Sequence, residues 1–250
     1  SHRRDRAGIA EALELAAEVD PGRAGSRLDE AAALWIGIGD PLGAARVWLA
    51  RVRLGVPGVP ADVLDDVKKR GKLVVGVKAD YKPFGFRDPS GAIVGLEPDL
   101  AADVAKKLGV ELELVAVVSA NRMEFLNQGK IDLMIATMSD KPERRKVVQV
   151  IEPLYYSDSV NIMLRKDGPV KSWDDLKGKK VCGTTGAWYN KDVAQKYGAE
   201  VISFDGSDKP LLSLKNGDCV GYVYDQTFIV GKLTDADWSD YHMPLKGFSD

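Results

Sequence analysis

From residue 61 onward the chain alternates β-branched apolar runs with amphipathic stretches, and this alternation is the strongest constraint on its fold. Runs at 73–77, 111–118, 131–137, 160–165, 180–184, 201–204 and 219–224 read as strands. Helical periodicity falls between them at 96–108, 121–127, 188–197, 209–215 and 226–233, and Gly109 sits just past the first of these, where a left-handed C-cap favours glycine. Such alternation predicts an α/β fold with largely parallel sheets. In sheets of that kind ligands bind beyond the carboxyl ends of the strands, which selects the loops to read for function.

The first sixty residues have a different composition. They hold eight Arg, twelve Ala and no Lys, whereas residues 61–250 hold 21 Lys and six Arg. The break falls at Gly55-Val-Pro-Gly-Val-Pro60, a linker by composition. Helices are expected at 6–19, 28–36 and 40–54, so 1–60 reads as a helical N-terminal extension. Gly37-Ile-Gly39-Asp-Pro-Leu-Gly43 imitates a dinucleotide loop, but its spacing is one residue too long and Asp40 would repel a pyrophosphate. The start carries no initiator Met and no basic-then-apolar leader, which reads as a piece of a longer chain or a processed product.

Composition narrows the function classes. Thirty-five basic against 37 acidic residues give a net charge of −2 and no electrostatic case for nucleic acid. The longest apolar run, 31–39, is less than half of what a membrane span needs, so no direct membrane insertion is expected. With only His2 and His242, a histidine zinc site or a Ser–His–Asp triad is not expected, and no phosphate loop or nucleophile elbow is present. No cofactor, no metal and no catalytic residue is predicted.

Four loops at strand ends carry chemistry. Lys78-Ala-Asp-Tyr-Lys-Pro-Phe-Gly-Phe86 places three aromatics after the first strand. Phe86 is expected in the core, whereas Tyr81 and Phe84 either tuck inside or form an aromatic wall that attracts an ammonium. Ala136-Thr-Met-Ser-Asp-Lys-Pro-Glu-Arg144 combines the hydroxyls of Thr137 and Ser139, a capping box of Asp140 and Glu143 with Pro142 in the first turn, and the guanidinium of Arg144. This set describes either a carboxylate receptor or an ordinary capped helix with a surface arginine. Gly183-Thr-Thr-Gly-Ala-Trp188 follows a strand and opens a helix, with Trp188 as a lid or a core anchor. Asp225 ends the strand of 219–224, where it either receives an ammonium or caps the next helix.

Taken in order, these segments resemble the family 3 extracytoplasmic solute-binding proteins, the polar amino acid receptors of ABC importers. The resemblance runs from about Leu64 to the last residue. It rests on Arg70-Gly-Lys-Leu-Val-Val-Gly-Val77 with Tyr81-Lys-Pro-Phe84, Gly95-Leu-Glu-Pro-Asp-Leu-Ala-Ala-Asp-Val104, Asn121-Arg122, Gly129-Lys-Ile-Asp132, Ala136-Thr-Met-Ser139 and Glu143-Arg144. It implies a periplasmic-binding-protein type II fold: two α/β lobes, 61–155 and 156–250, joined by a hinge and preceded by the short helical segment. It implies an aromatic wall of Tyr81 and Phe84, an α-carboxylate held by Thr137, Ser139 and Arg144, and an α-ammonium paired with Asp225. Arg122 looks like the side-chain-reading arginine of glutamate/aspartate receptors, which implies an acidic amino acid.

The sequence departs from the family pattern. Gly186, Ala187 and Trp188 stand where hydroxyl residues are usual, so amides or the indole N–H must replace them. Pro98 replaces an aliphatic residue, and the family's return to lobe one is missing after Phe248, as in a truncated frame. Cys182 and Cys219 fall on neighbouring elements of the second lobe, and an even count in an extracytoplasmic protein favours a disulfide, the alternative being two buried thiols. The expected function is extracytoplasmic binding of a polar amino acid, an acidic one by the Arg122 resemblance, for uptake, by a monomer whose partners are that ligand and an ABC transporter permease. Two alternatives stay open: a ligand-sensing domain of a larger receptor or fusion, and a dehydratase-like enzyme with Asp225 or Asp80 as its acid.

Overall fold

The computed structural model describes residues 61–152 and 154–249. The helices expected at 6–19, 28–36 and 40–54 lie outside the described residues.

The first half opens with α1 (Ala61–Arg70), whose last turn gathers Lys68, Lys69 and Arg70 where the helix dipole is negative. Its Val67 is buried against β1 (Lys72–Val77). A three-stranded meander of β2 (Asp80–Tyr81), β3 (Gly85–Arg87) and β4 (Ile93–Val94) follows. Next comes α2 (Leu96–Leu108), which presents Leu100, Ala101, Val104 and Ala105 to the core at helical spacing. It ends as expected at Gly109, left-handed at φ 69°, whose N–H reaches the carbonyls of Ala105 and Lys106. β5 (Glu111–Ala116) and β6 (Leu133–Ile135), separated by α3 (Arg122–Asn127), flank β1 as parallel partners. The strand expected over 131–137 is cut short because Thr137 turns the backbone to φ 46°.

The chain then passes α4 (Pro142–Arg145) and crosses into a second sheet. Its strands are β7 (Val160–Arg165), β8 (Lys180–Thr184), β9 (Glu200–Phe204), β10 (Gly221–Asp225) and β11 (Tyr241–His242), in the order β11-β7-β10-β8-β9. Helices α5 (Tyr189–Tyr197), α6 (Asp208–Asn216) and α7 (Gln226–Leu233) connect them. β8 runs parallel to β9 and β10, but β7 is antiparallel to β10 and to β11. The expectation of largely parallel sheets therefore fails on this side. β7 is entered from the crossing segment rather than through a strand–helix–strand unit, so the connection that enforces parallel pairing is absent there.

Cys182 on β8 and Cys219 just before β10 form a disulfide, with Cα atoms 5.7 Å apart. Two cores result. The first is aliphatic, built on Val75, Val77, Leu100 and Val104, and the second holds Tyr189, Tyr222, Tyr224 and Phe228 beside Ile162, Leu176 and Leu214. No helix among the described residues is long and apolar enough to cross a membrane.

Candidate functional site

The loop after β6 is held from below by a buried carboxylate. Glu97, in the first turn of α2, is fully buried and accepts the Tyr155 hydroxyl at 2.8 Å and the Lys78 N–H at 3.3 Å. Tyr155 in turn accepts the Thr137 N–H at 2.8 Å, which fixes the residue with the left-handed backbone. Burial pushes the Glu97 carboxyl up to about 7, against the opposing pull of Tyr155 and of the backbone donors.

Two guanidiniums flank this loop. Arg122, the first residue of α3, is 4% exposed and donates to the Ala136 carbonyl. Arg144 is 9% exposed and donates from Nη1 to the Ser139 carbonyl at 3.0 Å. Burial, then the neighbouring Arg122, lowers Arg144 to about 10, while Tyr189 and Asp225 act in the opposite direction. The capping box expected of Asp140 and Glu143 does not form. Helix α4 is a single turn whose N-cap is Lys141, and Asp140 is taken by Arg145 through bonds of 2.7 and 2.6 Å. A bidentate guanidinium outcompetes one backbone amide for the same carboxylate.

The second half meets this loop from across the crossing. Between β8 and α5 the chain turns at Gly186, φ 83°, where a Cβ would come 2.5 Å from the Ser119 carbonyl oxygen of the first half. Only glycine permits that approach, and it lets the Gly186 carbonyl accept Arg144 Nη2 at 3.1 Å. The Trp188 indole N–H reaches Ser139 Oγ at 3.2 Å, and Lys141 Nζ lies 3.3 Å from the centre of the Trp188 ring. Trp188 also packs on the second core, as the anchor alternative expects.

Asp225 closes the set. It occupies the N-cap position of α7 but makes no capping bond, because Asp158 Oδ2 accepts the Thr227 N–H at 3.0 Å instead. Its carboxylate is thereby left to the interior of the crossing. Burial, then the nearby Asp158, raises the Asp225 carboxyl to about 6, opposed by the Arg122 charge and by the Tyr189 and Tyr81 hydroxyls. Tyr81's approach falls short of full hydrogen-bond geometry.

Tyr81 and Phe84 are not an open wall. They are 0% and 6% exposed and belong to the second core, with Tyr81 at 5.1 Å from Phe228 and 5.6 Å from Tyr224, and Phe84 at 4.6 Å from Tyr156. Their rings pack the two halves together, and the Tyr81 hydroxyl is the part turned toward Asp225. Phe86, expected inside, is only partly buried, with Lys82 Nζ 5.7 Å from its ring. The structure thus gathers Arg122, Thr137, Ser139, Arg144, Gly186, Trp188 and Asp225 around one crossing. Tyr155, Asp158 and Tyr189 were missed from sequence: each acts through a neighbour far away in the chain, which no local pattern marks. Among the described residues no group of three or more His, Cys, Asp or Glu is placed to hold a metal.

Comparison with known proteins gives a consistent set of relatives. The family model of the bacterial extracellular solute-binding proteins, family 3, matches residues 73–195. The glutamine-binding protein of Geobacillus stearothermophilus is 35% identical over 178 residues, covering 68% of this chain and 67% of that protein. The ABC transporter glutamine-binding protein GlnH of Bacillus subtilis is 31% identical over 195 residues, covering 76% of this chain and 70% of its own. Among solved structures, the arginine-bound form of truncated ArgBP from T. maritima superposes with a TM-score of 0.69 at 34% identity, covering 74% of this chain and 87% of that one.

Proposed function

This chain belongs to the bacterial extracellular solute-binding proteins, family 3, a family of binding proteins and not of enzymes, and we propose that it captures a polar amino acid between its two halves. The observation that carries this reading is the meeting of the Arg144 loop with the second half, where Arg144 Nη2 donates to the Gly186 carbonyl at 3.1 Å and the Trp188 indole N–H reaches Ser139 Oγ at 3.2 Å, with Asp225 near enough for its charge to act on Arg144. A guanidinium on one half and a carboxylate on the other complement the two ends of a zwitterion. Arg144, with the hydroxyls of Thr137 and Ser139, holds the α-carboxylate, and Asp225 with Tyr189 and Tyr81 holds the α-ammonium. Phe84 supports Tyr81 from the core. Gly186 and Trp188 complete the enclosure from the second half.

Side-chain recognition falls to Arg122. It stands near Arg144, where burial and then the charge of Arg122 lower Arg144's hold on its proton. An acidic side chain relieves that repulsion, so L-glutamate and L-aspartate are the favoured ligands. The named ligands of the relatives, glutamine and arginine, share the zwitterion and differ in the side chain, as this division of labour requires. Closure follows from the ligand touching both halves, since only a ligand with more contacts in the closed form shifts the equilibrium toward it. Delivery to an ABC transporter permease outside the cytoplasm completes the proposal, with the two lobes divided near residues 155 and 156.

Calorimetry against the twenty L-amino acids tests it. Micromolar binding of L-glutamate or L-aspartate is expected. No heat with any amino acid at millimolar concentration would remove the receptor reading, and tight arginine binding without glutamate binding would remove the role of Arg122.

A further inference from the structure

A second bridge joins the halves at a point separate from Arg144 and Trp188. Asp80, the first residue of β2, places Oδ2 2.8 Å from the backbone nitrogen of Ser207 and accepts its N–H. The Ser207 hydroxyl donates back to the Asp80 carbonyl at 2.6 Å. Ser207 is fully buried and stands at the N-cap of α6, yet its side chain makes no capping bond there. The hydroxyl that would ordinarily serve its own helix is committed to the other half, and the carboxylate at the helix start comes from 127 residues away.

The other carboxylate oxygen is committed as well. Asp80 Oδ1 lies 3.0 Å from Lys78 Nζ, and Lys78 is 0% exposed. The pair is close but not aligned as a hydrogen bond, and neither atom has another hydrogen-bond partner. A buried ammonium 3.0 Å from one carboxylate oxygen, with the Glu97 carboxyl as its other acidic neighbour, restrains that carboxylate, because turning it away would remove much of the compensation of a buried charge. Lys78 therefore aims Asp80 at Ser207.

We propose that Asp80 is a positioning residue for closure: oriented by Lys78, it latches the start of α6 and holds the two halves together without touching the amino acid. The proposal rests on the two-lobe binding reading above. Its two hydrogen bonds exist only with the halves in contact, so they slow the release of ligand rather than select it.

Two variants and two readouts test this. Asp80→Asn keeps the shape and removes the charge; Ser207→Ala leaves the Lys78–Asp80 pair intact and removes only the hydroxyl bond. Hydrogen exchange measured without added amino acid is expected to show the Ser207 amide exchanging roughly tenfold faster in Asp80→Asn, the protection worth of one charge-assisted bond. The amides of β10 are expected to stay as in the wild type. Stopped-flow release of L-glutamate is expected to be roughly tenfold faster in Asp80→Asn and about fivefold faster in Ser207→Ala. Wild-type exchange at Ser207 in Asp80→Asn, wild-type release in both variants, or loss of protection spreading through β10 would overturn the latch. Failure of L-glutamate to bind the wild type would count against the acidic-ligand reading alone, and the exchange result would still decide the latch.

Discussion

The two halves are built differently, and the difference assigns each a task. The first sheet has three parallel strands over an aliphatic core, and its cleft edge is a loop braced by two guanidiniums that donate to backbone carbonyls. The second has five mixed strands, a tyrosine-rich core and a disulfide, and its cleft edge is a carboxylate held among ring hydroxyls. Both halves hold buried charge at a cost: burial lowers the Arg144 guanidinium to about 10 and raises the Asp225 carboxyl to about 6. The second half also carries the covalent tie.

Removing that tie is the largest perturbation expected. The disulfide spans 37 residues, for which loop-closure entropy gives about 3–4 kcal/mol. The double variant Cys182→Ser with Cys219→Ser should lose stability of that order in calorimetric melting. Hydrogen exchange should rise first in β8 and β10, with β1 and β5 unaffected. Equal loosening of both sheets would erase the contrast drawn between the halves.

Next in size are the two charges. Arg144→Ala is expected to weaken amino acid binding by roughly a hundredfold, since it removes charge-assisted bonds to the α-carboxylate. Asp225→Asn should weaken binding comparably, yet stabilise the ligand-free protein at pH 7 by about 1–2 kcal/mol, because a carboxylate raised to about 6 is ionised there at a cost. Thermal melting of both variants checks this, and a destabilised Asp225→Asn would show that the carboxylate supports the fold.

Tyr155→Phe probes the first half from beneath. It strands the Thr137 N–H and removes a donor from Glu97, which should cost about 1–2 kcal/mol in denaturant unfolding. The effect should extend to binding only through the Thr137 loop.

The smallest test is a pH series. Asp225 in the free protein protonates at about 6, and a bound ammonium favours its ionised form. Affinity should therefore be flat above pH 6 and fall up to about tenfold per unit below it. The ligand-free fold should show the reverse trend. Asp225 and Glu97 both have raised carboxyls, so their contribution to stability is greatest at low pH and is lost as pH rises through about 6 and about 7. Titration by calorimetry and by melting separates the two curves.

Local patterns made much of the fold legible. The strands at 160–165 and 180–184 and the helices at 96–108 and 226–233 are found at the expected bounds, because their periodicity and end signals lie within a few residues. The disulfide was one of two readings of the even cysteine pair, the other being two buried thiols, and the structure forms it. The meander of 80–94 was not legible: its strands are two or three residues long and owe their pairing to Asp80, Phe86 and Val94 meeting in space. Asp140 was misread because Arg145, five residues on, offers it a stronger partner than its own helix. Phe84 lies in a turn as expected, whereas Tyr81 ends the short strand β2, and what covers both arrives from Tyr156, Tyr224 and Phe228, beyond the reach of any local pattern.

A crystal structure with the tightest-binding member of the amino acid panel tests the central claim most directly. The account predicts the ligand's α-carboxylate within about 3 Å of the Arg144 guanidinium and its ammonium at the same range from Asp225. A ligand bound to one half alone, or lying away from both charges, would contradict it.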